Sequence, residues 1–377
     1  MKRAATEVLT FRPQSQRHMA GRLLLTAFAL VGLLLLSACG SNSPSVLASG
    51  PRTVPTPSIS PTLQNEGQMA LETFQQWIDL MQQNGGEVTT YQQQYQSDQQ
   101  ALQQAQTASA YSRALTTLKE HINAIQIPAM KAESTHLQQQ LAQEVSAWGK
   151  EHTYHDSYNN QTYPLGYEYG PQGIGGSEWL GEELSQAQTL ADYQQVVEDL
   201  QMWLTNFEAM KANFSDKTPY NQPHQTDLEL MRHYGYMDER VVVVSLSEQA
   251  LRAYDHGKLV KAFLVTTGQP DLPTPPGTWW IEGKQHPTVF KSSEPKGSPY
   301  WYPDTPINYA MQYHSNGYFL HDAWWRADFG PGTNFPHQDP TGDPFAGQGS
   351  HGCVNMSTDN AAWLYNFVSL YTPVLIY

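Results

Sequence analysis

The sequence predicts an α+β chain of more than one domain: a helical, bundle-like N-terminal region followed by a β-rich C-terminal domain with a helix just after Cys353. Three observations predict it. Apolar residues recur at helical spacing between residues 66 and 215. From residue 240 the period becomes that of strands, opening on a β-branched run at 241–246. Ser350-His351-Gly352-Cys353 then holds a thiol beside an imidazole, and Ser357-Thr358-Asp359 offers a helix N-cap directly after it.

The chain opens on a basic segment (Lys2, Arg3, Arg12, Arg17, Arg22) followed by an apolar run at 23–36. That run is shorter than the ~20 residues a membrane span needs and has the length of a signal-peptide core. It ends in Leu36-Ser37-Ala38-Cys39-Gly40, so residues 1–38 are expected to be a signal peptide of lipoprotein type, with Cys39 lipidated and anchoring the chain to a membrane. An ordinary cleaved signal and an uncleaved anchor are the alternatives. Met19 is an alternative start to Met1.

Residues 39–65 hold five prolines and one charge, Arg52, which is the composition of an extended linker. At about 3.1 Å per residue it would reach on the order of 80 Å. The helical domain is expected over 66–215. Positions 70, 74, 77, 78 and 81 form one stripe; Leu115, Leu118, Ile122 and Ile125 form a second that stops at Pro128; Leu137, Leu141, Val145 and Trp148 form a third that stops at Gly149. Val196, Val197, Leu200, Leu204 and Phe207 form a fourth. Thr107-x-x-x-Tyr111 with Leu118 and Ile122 is echoed by Thr189-x-x-x-Tyr193 with Leu200 and Leu204. Such an echo fits an internal duplication, or two amphipathic helices alike by construction.

Between the helices lie Tyr154, Tyr158, Tyr163, Tyr167 and Tyr169, then a glycine-rich stretch at 170–176. Tyrosines in a loop either stack on sugar rings or pack on their own fold. Residues 216–237 are expected as a second linker and 238–377 as the β-rich C-terminal domain. In the latter, segments 251–254 and 259–266 flank Asp255-His256-Gly257-Lys258, a hairpin signal. Residues 318–321 form a short strand with His321 at its end, and residues 374–377 close the chain as another.

Cys353 is the only cysteine after Cys39. If Cys39 carries lipid, Cys353 has no disulfide partner, and an unpaired thiol in an exported protein is a candidate for chemistry. An imidazole within reach would take the thiol proton. Gly352 lets the backbone turn tightly beside the sulfur, and successive N–H groups at such a turn can face a developing oxyanion.

The order His321 … Ser350-His351-Gly352-Cys353-x-Asn355 resembles the signature of the L,D-transpeptidases, the YkuD-type catalytic domain of bacterial cell-wall enzymes. Residues 240–260 resemble that domain's opening hairpin, and Thr274-Pro275-Pro276-Gly277-Thr278-Trp279 its Pro-x-Gly-x-aromatic turn. The resemblance implies Cys353 as nucleophile and His321 as general base, its imidazole held by the carbonyl of Asp322 or by the Asp322 carboxylate. It implies Gly352 and Cys353 N–H groups as oxyanion donors, His351 and Ser350 as residues that shape the turn, and Asn355 as a side chain that fixes the loop. It implies acyl transfer from a peptidoglycan stem tetrapeptide, through a thioester, to an amine on an acceptor stem peptide. That product is a 3→3 cross-link; water as acceptor would make the enzyme an L,D-carboxypeptidase. Carbapenems are the expected inhibitors, and no metal or cofactor is implied. One departure is visible: 28 residues separate His321 from Ser350, more than the family usually has. The extra segment, Trp324 to Gly349, is expected to form a longer lid over the cleft.

Two competing classes are weighed against this. Cell-wall cysteine peptidases generally place Cys before His, the reverse of this order. A wall-binding lipoprotein with a degenerate domain would have lost the Cys or the His, and both are present. Removing residues 1–38 would take away five basic groups and Glu7, leaving 16 basic and 34 acidic groups, a net charge of −18. That argues against nucleic acid or anionic lipid as a partner, because both require basic patches.

Overall fold

The computed structural model describes residues 58–377. The signal peptide, Cys39 and most of the first linker lie outside them. Ser60 caps helix α1 (Pro61–Gln83) by accepting from Leu63 N–H, so the last residues expected as linker are already helical. Helices α2 (Thr89–Gln104) and α3 (Ala108–Glu151) follow. Phe74, Ile78, Leu118 and Ile125 lie at the centre of their shared core, which Tyr193 and Val197 also enter. Pro128 and Gly149 do not end helices: both lie within α3. Pro128 removes one backbone bond, but Ile125 and Ala129 beside it are fully buried, and that packing outweighs the local preference.

Strands β1 (Thr153–Asp156) and β2 (Gln161–Pro164) form a hairpin where tyrosine-rich loop was expected, followed by α4 (Leu180–Gln186) and α5 (Leu190–Ser215). The paired threonines of the sequence echo do the same work: Thr107 caps α3 and Thr189 caps α5, each accepting from the N–H three residues on. The segment expected as a second linker holds α6 (Gln225–His233), with Asp227, Leu230 and Met231 buried. Its anchor is ionic. Arg252 Nε lies 2.5 Å from Asp227 Oδ2, and the Tyr254 and Tyr377 hydroxyls donate to the same carboxylate at 2.6 and 2.5 Å. The Asn206 amide on α5 reaches the Ile376 carbonyl at 3.0 Å. Helical and β-rich parts are therefore packed into one compact unit.

The β-rich part contains β3 (Arg240–Ser245), β4 (Ala250–Asp255), β5 (Lys258–Leu264), β6 (Gly277–Trp280), β7 (Gly283–Gln285), β8 (Thr288–Phe290), β9 (Thr305–Ile307), β10 (Ala310–His314), β11 (Tyr318–Asp322), β12 (Val354–Met356), α7 (Thr358–Phe367) and β13 (Pro373–Ile376). A five-stranded sheet runs β5-β4-β3-β13-β6 and a four-stranded sheet runs β12-β11-β10-β7. Val241 to Val244 read as an unbroken apolar run because all four are fully buried, which requires cover on both faces of β3. Each such side chain contributes roughly 1.5–3 kcal/mol by leaving water. The β4–β5 turn has positive φ at both His256 and Gly257, the geometry that matches strand twist in a two-residue hairpin. β11 and β12 pair in parallel, with His321 opposite Asn355, and α7, capped by Ser357, packs on β10 and β11. Among the described residues no helix is long and apolar enough to cross a membrane.

Candidate active site

Cys353 sits in a turn shaped by contacts remote in sequence. Gly352 has φ +101°, and a Cβ there would come 2.5 Å from the Tyr318 ring, so the position admits only glycine. Its carbonyl accepts from the Thr274 hydroxyl at 2.9 Å and the Tyr313 hydroxyl at 3.3 Å. The Thr274-Pro275-Pro276-Gly277 turn thus holds the Cys353 turn directly. With the Gly352 carbonyl pinned there, the trans peptide aims the Cys353 N–H the opposite way. The two expected oxyanion donors are not equivalent: Gly352 N–H already donates to Ser350 Oγ at 3.1 Å, while Cys353 N–H has no acceptor among the described residues. Ser350 Oγ in turn donates to the Cys353 carbonyl, and Ser350 backbone groups pair with Thr267 and Gln269.

His321 is 4% exposed at the end of β11. Its Nδ1 lies 2.9 Å from the Asp322 carbonyl oxygen. The Asp322 carboxylate is engaged elsewhere, accepting from Asn308 N, Asn308 Nδ2 and Tyr309 N at 2.8–2.9 Å. Of the two alternatives for holding the imidazole, the carbonyl is the one in place. The Asn355 amide nitrogen lies 3.0 Å from His321 Nε2, and the Asn355 oxygen accepts from Arg326 Nε at 3.1 Å. Burial, first of all, holds the His321 pKa down at about 4; Asp322 opposes this and Arg326 adds to it. Burial pushes the Cys353 thiol up to about 11. Both shifts favour the neutral thiol and the neutral imidazole over the ion pair.

Both residues line a cavity of 410 Å³ with Phe290, Tyr302, Trp324, Trp325 and Phe345 among its walls. His351 is half-buried in it, its ring 5.4 Å from that of Tyr302. The long segment after His321 forms one wall, and it is braced. The Asp339 carboxylate accepts from the Ala327, Asp328 and Thr341 amides. Phe335 stacks against both Tyr154 and Tyr163 with centroids at 4.4 and 5.0 Å, and the Tyr167 hydroxyl donates to Gly268 O at 2.6 Å. Those loop tyrosines pack on their own fold, and only Tyr158 is largely exposed. Arg326 escaped the list of sequence candidates. It is the only arginine after Arg252, and an isolated charge among aromatic and glycine residues was the available signal.

Fold and site together define a β-rich domain with two principal sheets, whose cleft brings a lone thiol together with a buried, backbone-held imidazole. Residues 239–376 match the family model of the YkuD L,D-transpeptidase catalytic domain, and the C-terminal part of this chain is such a domain. L,D-transpeptidase 1 of Mycobacterium tuberculosis (strain ATCC 25618 / H37Rv) is 27% identical over 149 residues, covering 39% of this chain and 53% of that protein. Probable L,D-transpeptidase 3 of the same strain is 30% identical over 112 residues, covering 29% and 36%. A solved structure, the catalytic domain of the E. faecium L,D-transpeptidase, is 29% identical, covers 38% of this chain and 100% of that one, and superposes with a TM-score of 0.31. The chain spans about half or less of the length of the curated relatives named here.

Proposed function

We propose that this protein is a peptidoglycan L,D-transpeptidase that forms 3→3 cross-links from a tetrapeptide donor, with Cys353 as nucleophile and His321 as general base. The observation that carries this is the presence of Cys353 in the same cavity as His321, whose Nδ1 is held by the Asp322 carbonyl and whose Nε2 is left as an acceptor. The Cys353 sulfur attacks the carbonyl carbon of the bond after the L-centre, and its proton passes to His321. The oxyanion is met by Cys353 N–H. The C–N bond breaks, the imidazolium gives its proton to the departing D-alanine amine, and a thioester remains. An acceptor amine attacks that thioester, loses a proton to His321, and expels the Cys353 sulfur, which is reprotonated. Neutral resting groups suit this cycle, since proton transfer is coupled to attack rather than preceding it.

Lipidation at Cys39 would hold the domain at a membrane surface within reach of the wall. Replacing Cys39 by Ser should abolish partition into detergent; unchanged partition would indicate an uncleaved anchor. The function itself is tested by intact-mass analysis with a carbapenem and then with a disaccharide-tetrapeptide donor. A covalent adduct is expected on the wild type, absent in Cys353→Ala and greatly slowed in His321→Ala, with cross-linked dimer as product. An adduct on a serine with Cys353 free would overturn the assignment. Release of tripeptide without dimer would identify a carboxypeptidase.

A further inference from the structure

We infer that Arg326 is a positioning residue for His321, acting through the Asn355 amide and coupling the long wall segment to the reaction. The inference rests on the role proposed for His321. A primary amide can present oxygen or nitrogen to a neighbour, and only its partners decide which. A guanidinium has donors alone, so the Asn355 atom 3.1 Å from Arg326 Nε is the oxygen. The amide nitrogen then faces His321 Nε2 at 3.0 Å and can only donate. Nε2 is therefore unprotonated, and the ring proton sits on Nδ1, 2.9 Å from the Asp322 carbonyl oxygen. Three hydrogen bonds in series fix one tautomer and one ring orientation.

Arg326 is well placed to transmit the state of the wall. It is 7% exposed, and its Nη1 donates to the Ala346 and Gln348 carbonyls at 2.9 and 2.7 Å. It makes no ion pair among the described residues, so its bonds there go to neutral acceptors. The titratable and charged groups around His321 are Asp322 on its own strand, Cys353 and His351 on the nucleophile turn, Tyr302 and Asp304 on the segment around β9, and Arg326 and Asp343 on the wall, with Asp339 near Arg326. Removing the guanidinium frees the amide to turn and also removes a cation that disfavours imidazolium.

The test follows carbapenem acylation of the full chain between pH 3.5 and 8 in wild type, Arg326→Gln, Arg326→Lys, Asn355→Ala and the Arg326→Gln/Asn355→Ala double variant. Each of Arg326→Gln and Asn355→Ala should slow acylation about 10- to 100-fold. The acid limb of the profile should move to higher pH in Arg326→Gln and stay in place in Arg326→Lys. The double variant should be no slower than the slower single variant, because both changes break the same chain. Additive losses, or an unmoved acid limb in folded Arg326→Gln, would reduce Arg326 to a brace of the wall and overturn the inference. If Arg326→Gln does not fold, Asn355→Ala keeps the backbone bonds of Arg326. Its His321 Nε2 nitrogen resonance should then move to the position of a free acceptor, and an unmoved resonance overturns the inference equally. Acylation retained in Cys353→Ala would defeat the proposed function instead, and the His321 resonance would still decide the role of Arg326.

Discussion

His321 and Asn355 stand opposite each other in the parallel register of β11 and β12, and the Asn355 amide nitrogen lies 3.0 Å from His321 Nε2. Strand pairing alone brings these two side chains to the same place, although 33 residues intervene between them in the chain. The basic nitrogen of the imidazole is thus hydrogen-bonded at rest. In the proposed mechanism, a substrate that draws on His321 as a base displaces or shares that bond, which would tie the reaction to the turn that also carries Cys353.

The thiol should behave as an unactivated one before substrate binds. With its pKa pushed up to about 11 by burial, alkylation of Cys353 by iodoacetamide should rise about tenfold per pH unit from 7 to 10, as thiolate fraction does. His321, held at about 4, stays neutral across that range and adds no step. A rate that levels off below pH 8 would reveal a preformed thiolate–imidazolium pair.

Trp324 lines the cavity, as does Pro306. Its indole N–H donates to the Pro306 carbonyl at 2.9 Å, and the residue is 55% exposed. Trp324→Ala should leave donor acylation within a few-fold of wild type and raise the ratio of hydrolysis to cross-linking, because the thioester is less shielded from water. Measuring tripeptide against dimer from a disaccharide-tetrapeptide donor checks this; an unchanged ratio excludes a shielding role.

The Asp227 carboxylate organises a buried polar cluster with Arg252, Tyr254 and Tyr377. Asp227→Ala leaves the buried Arg252 guanidinium with Glu248, 2.7 Å from its Nη1, as its one remaining carboxylate partner, and should cost up to about 3–5 kcal/mol in denaturant unfolding. Asp227→Ala combined with Arg252→Met should recover part of that loss. A double variant as unstable as the sum of its parts would show that the ion pair is not what holds α6.

Glu168, buried next to Tyr167, has its pKa raised from 4.5 to about 7, chiefly by desolvation. A carboxyl raised on folding favours the protonated form, so its penalty is absent below about pH 4.5, grows as pH rises, and is complete above about 7. Glu168→Gln should therefore be neutral at pH 4 and stabilising at pH 8 by roughly 3 kcal/mol at most. A stability difference that does not change with pH would place the group in a more polar setting than its burial implies.

His321 is singled out by the resemblance to the transpeptidase signature, while the residues by themselves determined the β4–β5 hairpin, the N-cap of α7, the apolar run of β3 and Cys353 as a candidate. Each depends on local chemistry: positive φ at His256 and Gly257, a serine before a helix, an unbroken valine run, a thiol without a partner. The tertiary structure decided what depends on distant partners. Pro128 stays helical because Ile125 and Ala129 are packed, and the polar segment 216–237 becomes a docked helix because Arg252 waits for Asp227. The loop tyrosines turn inward because Phe335 lies beneath them. The Asp322 carbonyl, not its carboxylate, meets the imidazole, since Asn308 and Tyr309 have claimed the carboxylate. Arg326 reaches the site only because the wall folds back on β12. A hydrogen bond needs both of its ends in place, and periodicity along one segment says nothing about where the other end will be.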